Sequence, residues 1–244
     1  MLRIGSIAAA VAFAVACCRG TTAAGQPADD GHDLAHVLFF SGGDLWRQGA
    51  FLYGGAMWMP DGLAADGFVL KLLAAHGFYR YRSGALGGVQ VKGFLTGASV
   101  MPGYRFTRSG LTVTAFAGPD WQNHFLVPDD PDNPARGRHI GLRGAIDVWA
   151  EPTTTSMVSA NATFSTIASS YAARLATGWR VFDWFYLGPE GRIYGAGSYR
   201  QMRLGVQVTA VKFGSWEWEG SIGYAFDSDD QRGAYAQIGL NVRD

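Results

Sequence analysis

From Ala234 to Arg243 the chain reads Ala-Tyr-Ala-Gln-Ile-Gly-Leu-Asn-Val-Arg. Ala234, Ala236, Ile238, Leu240 and Val242 fall on one face of an extended chain; Tyr235, Gln237, Gly239, Asn241 and Arg243 fall on the other. A period of two is the repeat of a β-strand, whose successive side chains point to opposite faces. The pattern recurs in 138–150, where Ile140, Leu142, Ile146 and Val148 oppose His139, Arg143 and Asp147. It recurs again in 199–212 and in 215–226, where Trp216, Trp218, Ile222, Tyr224 and Phe226 oppose Glu217, Glu219 and Ser221. Soluble strands commonly hold about five or six residues. These segments run to about ten or more, the length that crosses a bilayer at a tilt.

About twelve such strands can be placed: 36–46, 49–58, 67–81, 86–106, 110–124, 138–150, 155–167, 170–181, 184–194, 199–212, 215–226 and 233–243. Turn residues separate them, as in Met59-Pro-Asp-Gly, Thr107-Arg-Ser-Gly, Glu151-Pro-Thr-Thr and Asp227-Ser-Asp-Asp. Evenly spaced strands suit either a sandwich or a barrel. The connections decide for the barrel. With the N-terminus in the periplasm, the connections after even-numbered strands are mostly tight. The longest one, around 125–137, and the acidic Asp227–Arg232 loop then face outward. Short inside and long outside is the outer-membrane arrangement. Charged residues make up 16% of the chain, below the roughly 25% of soluble domains. The expected fold is all-β, an antiparallel up-and-down transmembrane β-barrel over 36–244. In it Leu142 faces lipid and Arg143 the lumen. Trp58, Trp149, Trp179, Trp184, Trp216 and Trp218 mark the periplasmic ends, and Trp46 and Trp121 the outer ends, although Trp149 and Trp184 fall in the lumen phase. One departure is the ending Leu240-Asn-Val-Arg-Asp, where outer-membrane barrels commonly finish on an aromatic residue.

Arg3, the apolar run Ile4 to Cys18 and the small residues Thr22-Ala23-Ala24 form a secretion signal over 1–24, followed by a short periplasmic segment over 25–35. A rival lipoprotein cut would precede Cys17. Both cysteines lie in the signal, so cleavage after Ala24 leaves none to form a disulfide.

Net charge is zero, which gives no basic bias toward nucleic acid. The chain has no G-x-S-x-G elbow, H-E-x-x-H pair, P-loop or paired C-x-x-C. No catalytic residue, metal ligand or cofactor is expected. Asp129, Asp130, Asp132 and Asn133 offer oxygen donors between His124 and His139, but the glycine and distal glutamate of an EF-hand are missing. The segment is expected to be a solvated outer loop rather than a buried site. The lumen-phase charges are Lys71, Lys92, Arg143, Asp147, Arg174, Glu190, Arg192, Arg203, Glu217 and Glu219. Such a mixture can pair and fill a narrow barrel, or line a polar path for a hydroxyl-rich solute. No ring of one sign appears, so an ion-selective pore has little support. Trp121, His124, Arg143, Asp147, Glu190, Arg203, Glu217 and Glu219 are the candidate binding residues of the lumen or outer mouth.

Asp120-Trp-Gln-Asn-His-Phe-Leu-Val-Pro-Asp-Asp-Pro-Asp-Asn-Pro, with Gly137 and Gly141, resembles the central segment of the BcsS family of cellulose biosynthesis proteins. Leu187-Gly-Pro-Glu-Gly and Tyr199-Arg-Gln-Met-Arg-Leu-Gly-Val-Gln-Val-Thr resemble its later segments. Gly54-Gly, Asp66-Gly-Phe and Gly103-Tyr104 fit its first half. The resemblance spans about 37–243. It implies a secreted accessory protein of bacterial cellulose production in the outer membrane, with no catalytic residues to carry over. Its partners would be membrane lipid, cellulose or another β-glucan, and other cellulose-synthesis subunits. The leading expectation is therefore a barrel assisting glucan export or assembly at the cell surface. Two alternatives are a barrel hydrolase of lipid or polysaccharide using His124 or His139, and a soluble periplasmic glucan-binding β-sandwich.

Overall fold

The computed structural model describes residues 35–244. The expected signal peptide and nearly all of the short segment behind it lie outside the described residues. Twelve strands follow in order: β1 Val37–Trp46, β2 Gly49–Trp58, β3 Gly67–Ser83, β4 Val89–Arg108, β5 Leu111–Val127 and β6 Gly137–Thr153. They continue with β7 Ser156–Ser165, β8 Ser170–Val181, β9 Phe185–Ala196, β10 Tyr199–Phe213, β11 Trp216–Asp227 and β12 Arg232–Arg243. Each overlaps one expected strand, with bounds a few residues apart at most. β4 starts later than expected because the chain turns at Gly87 and Gly88, whose φ values of 66° and 87° suit residues without a Cβ.

Every strand pairs antiparallel with its neighbours in sequence, and β1 pairs with β12 from Leu38↔Arg243 to Trp46↔Tyr235. That last ladder closes the sheet and leaves no open edge, the condition for a sheet surrounded by lipid. The two faces then sort by chemistry in the sense opposite to a soluble protein. Ile140 is 84% exposed and Ile222 68%, while Asp120 is 1% and Glu190 4%. Apolar side chains outside and polar ones inside make this a membrane barrel and rule out the soluble sandwich. Leu142 points outward and Arg143 inward, as their phases require.

Exposed aromatic residues collect at the end that holds both termini: Trp58, Trp179, Phe182, Trp184, Trp216 and Trp218. The expected belt needs two corrections, at Trp184 and Trp46, while Trp149 keeps its expected lumen phase. Trp184 does not enter the lumen, because β8 stops at Val181 and Trp184 lies in the turn before β9. Trp149 does enter, and packs edge-to-face on Tyr186 with ring centres 6.1 Å apart. Trp46 also turns inward, beside Ala225 and Tyr235.

The wall is uneven in height. β3, β5 and β6 have 17 residues each and β4 has 20, whereas β7 has 10 and β8 has 12. The surplus projects at the end away from the termini. β3 pairs with β2 only as far as Tyr79↔Gly49 but continues to Ser83, and β6 meets β7 only from Arg143↔Ser165. On the β1–β5 side the lumen is packed with apolar groups, among them Phe40, Met57, Leu73, Leu95, Met101 and Phe116. Tyr199 of β10 joins the same cluster, so side chains from opposite walls meet.

Candidate functional site

Strand parity turns many of the charges of β5 to β12 into the lumen, where a buried charge needs a partner. Asp120 is the first hub. Its carboxylate accepts from Arg143 Nη2 at 3.0 and 3.1 Å, Ser165 Oγ at 2.6 Å, Ser99 Oγ at 3.1 Å and Gln122 Nε2 at 2.9 Å. Four neighbouring strands, β4 to β7, are tied at one carboxylate. Asp120 was absent from the expected site. Its parity with Thr112, Thr114, Gln122 and His124 was the available signal.

Glu190 is the second hub. Arg174 Nε donates to it at 2.7 Å, Arg192 Nε and Nη2 at 2.9 and 3.0 Å, and the Tyr235 hydroxyl at 2.8 Å. Tyr235 stands on β12, so this group reaches across the lumen from β9. It fits because Gly205 and Gly223 lie beneath the ring; a Cβ at Gly205 would meet the Tyr235 hydroxyl at 2.3 Å. Two further pairs also skip strands. Lys71 of β3 meets Asp147 of β6 at 3.2 Å, with its Nζ 4.7 Å from the centre of the Phe116 ring. Arg203 of β10 meets Asp44 of β1 at 2.6 Å, and its guanidinium lies 4.7 Å from Tyr194 and 5.1 Å from Tyr235. Glu217 pairs with Arg243 at 3.3 Å, and Glu219 lies half-buried against Gly239. Among the described residues, Lys71, Arg143, Asp147, Arg174, Glu190, Arg192, Arg203 and Glu217 are held in ion pairs inside the barrel. A small cavity is lined by Thr112, Thr114, Asp147, Trp149 and Asn161.

Lys92, expected in the lumen, lies elsewhere, and Trp121, expected at the lumen or outer mouth, is on the outer wall. Trp121 is 37% exposed on the outer wall, because it alternates with the inward Asp120 and Gln122. Lys92 is also on the outer wall, with Nζ 4.6 and 4.7 Å from the ring centres of Phe78 and Phe94; Val91 and Gly93 take the inward positions. His124 is inside and buried. It contacts the Tyr79 hydroxyl through Nδ1 at 2.9 Å and Gln122 Oε1 through Nε2 at 3.2 Å. His139 lies apart, with Nε2 3.0 Å from the Arg136 carbonyl. Neither histidine has a serine among its partners here, so the hydrolase grouping is not assembled.

The 128–136 loop overturns the expectation of a fully solvated segment. Asp130 is 1% exposed, and Asn133 and Ala135 are also buried. Tyr81 OH donates to Asp130 Oδ2 at 2.8 Å, and Asn133 Nδ2 donates to the Tyr81 oxygen at 2.7 Å. Ala135 packs against Ala172, Tyr194 and Ala196, on the opposite wall. The loop is a plug in the mouth. Its acids diverge rather than converge on a cation, for Asp129 faces outward and forms a two-point pair with Arg136 at 2.6 and 2.7 Å. Asp130→Ala is expected to cost about 1–3 kcal/mol through the lost hydrogen bond, and Asp132→Ala under about 0.5. Limited proteolysis within 128–136 measures the difference; equal cleavage of the two variants would mean that the plug is not held by Asp130.

The model of a family described as cellulose biosynthesis protein BcsS matches residues 38–244, the entire closed barrel. The chain belongs to the BcsS family. No curated protein matches it in sequence. Among solved structures it is similar to the KdgM porin, with 12% identity, 84% of this chain and 98% of that one covered, and a TM-score of 0.47. The translocator domain of the autotransporter NalP from Neisseria meningitidis gives 12%, 88%, 90% and 0.49. LpxR from Salmonella typhimurium gives 10%, 84%, 99% and 0.48. The barrel assignment for this BcsS chain rests on its own strand pairing, since none of these scores reaches 0.5.

Proposed function

We propose that this protein is an outer-membrane accessory of bacterial cellulose biosynthesis. In this reading it assists glucan assembly at the cell surface without being the conduit or the polymerase. The observation that carries it is the combination, in one BcsS chain, of a lipid-facing barrel wall with a lumen occupied by the Asp120 and Glu190 groups. A glucan chain needs a continuous path lined by hydroxyl partners, and cross-lumen ion pairs obstruct one. Polymerisation needs a sugar nucleotide with a metal beside its diphosphate. Among the described residues no cluster of three or more His, Cys, Asp or Glu side chains is placed to hold a metal ion. The reading assigns no catalytic step to the barrel. Its partners are lipid, nascent β-glucan and other subunits of the cellulose machinery.

A deletion strain tests it. Cell-surface cellulose is expected to fall or lose order, while glucan polymerisation by isolated inner membranes stays at its normal rate. Normal surface cellulose would remove the reading, and lost polymerisation would place the protein with the synthase instead. Fractionation is expected to recover the protein with the outer membrane. The folded barrel in a planar bilayer is expected to show no steady conductance. An open channel would restore the conduit reading.

A further inference from the structure

β2, β3 and β4 contain no aspartate or glutamate, so every charge on their outward faces is positive or neutral. On β3 the outward residues run Phe68, Leu70, Leu72, Ala74, His76, Phe78, Arg80 and Arg82. Phe68 packs edge-to-face on Trp58 in the aromatic belt at the termini end, with ring centres 6.3 Å apart. From Phe68 to Phe78, a tilted strand rises by about 25 Å, the height of the apolar band of such barrels. Arg80 and Arg82 therefore begin where the acyl chains stop, on the part of the wall that outruns β1 and β2.

Across the strand, Lys92 sits directly opposite Arg80. Its amine is held over the Phe78 and Phe94 rings at 4.6 and 4.7 Å, and the Arg80 guanidinium lies 5.4 Å from the Phe78 centre. Arg82 Nη1 donates to the Gly88 carbonyl at 3.3 Å, which fixes it against the β3–β4 turn. Phe125 of β5 continues the aromatic row beside Phe94, with ring centres 6.5 Å apart. Three cations at headgroup height above a shelf of phenylalanines match an amphiphile with phosphate above and acyl chain below. Cations attract anionic headgroups, guanidinium groups bind phosphate through paired hydrogen bonds, and aromatic rings settle at the lipid interface.

We propose that Arg80, Arg82 and Lys92 form a binding site on the outer wall for the phosphate-bearing headgroup of an outer-leaflet lipid, whose chains lie along Phe78, Phe94 and Phe125. The site rests on the outer-membrane reading for its physiological lipid; its affinity is measured independently of where the protein resides. The folded barrel in neutral detergent is titrated with diphosphoryl lipid A and with its dephosphorylated form, and bound lipid is counted by native mass spectrometry. The phosphorylated form is expected to bind at lower concentration. Affinity is expected to fall about fivefold for each cation removed in Arg80→Gln, Arg82→Gln and Lys92→Gln, and to stay level in Arg108→Gln at the other end. Millimolar inorganic phosphate is expected to compete weakly, because it lacks the chains. Equal binding of the dephosphorylated lipid by the unchanged protein would overturn the proposal whether or not the variants fold. So would unchanged affinity in the folded triple variant, or displacement of the lipid by cellohexaose, which would assign the shelf to glucan.

Discussion

Glu190→Leu is expected to lower the stability of the folded barrel by about 3–5 kcal/mol, because it leaves buried charge without its counterion. In the native barrel one carboxylate answers both the Arg174 and the Arg192 guanidinium and accepts from Tyr235. Removing it leaves two buried like charges on adjacent strands, at the paired positions Arg174↔Arg192. Glu190→Gln retains the shape and some hydrogen bonds but loses the charge, so its loss falls between those of Leu and the native residue. Adding Arg174→Met and Arg192→Leu to Glu190→Leu is expected to recover much of the deficit, since an apolar filling of similar volume can replace a buried ion network. The measurement is the urea midpoint of the barrel folded into vesicles. An unchanged midpoint in Glu190→Leu would show that the group is not a structural cross-link, and an accompanying conductance would show that it gates a path.

Ile222→Arg is expected to cost about 2–4 kcal/mol by the same measurement. Ile222 faces outward midway along β11, between Trp216 and Trp218 at one end and Tyr224 and Phe226 at the other. An arginine there places a guanidinium in hydrocarbon. Leu142→Arg is expected to cost less, about 0–1 kcal/mol, the value near an interface. Leu142 also faces outward, but it stands level with the β7–β8 turn, where the Thr166 amide donates to its carbonyl at 2.9 Å. The sequence shows the face of both residues; only the neighbouring strand shows their depth. If Leu142→Arg proves the more damaging, the membrane lies higher on the wall than the aromatic belt indicates.

Period-two alternation along 138–150, 199–212, 215–226 and 233–243 determined the strands and the faces of Leu142, Arg143, Glu217 and Ile238 before any fold was known. The reason is local: backbone geometry alone sends neighbouring side chains to opposite sides, and one-residue parity carries through an unbroken strand. The same parity along β5 holds both His124 and Asp120 inside and Trp121 outside. It was not followed for Lys92, which lies outside because Val91 and Gly93 take the inward phase of β4. It failed for Trp184, where the strand had already ended. What alternation cannot contain is which inward residues meet across the lumen. Lys71 finds Asp147 three strands away, and Arg203 finds Asp44 across the β12–β1 closure. Those encounters depend on the number of strands and on their stagger, which are properties of the closed sheet. The 128–136 loop carries the same lesson. Its prolines and acids read as a solvated turn, and Asp129 and Asp132 are exposed as that reading requires. Asp130 and Asn133 enter the mouth because Tyr81, on a strand distant in sequence but adjacent in the barrel's rim, offers a hydroxyl that both can use. Composition and alternation thus determined a membrane barrel; which inward groups meet across its lumen was decided only when closure brought the far walls within reach of each other.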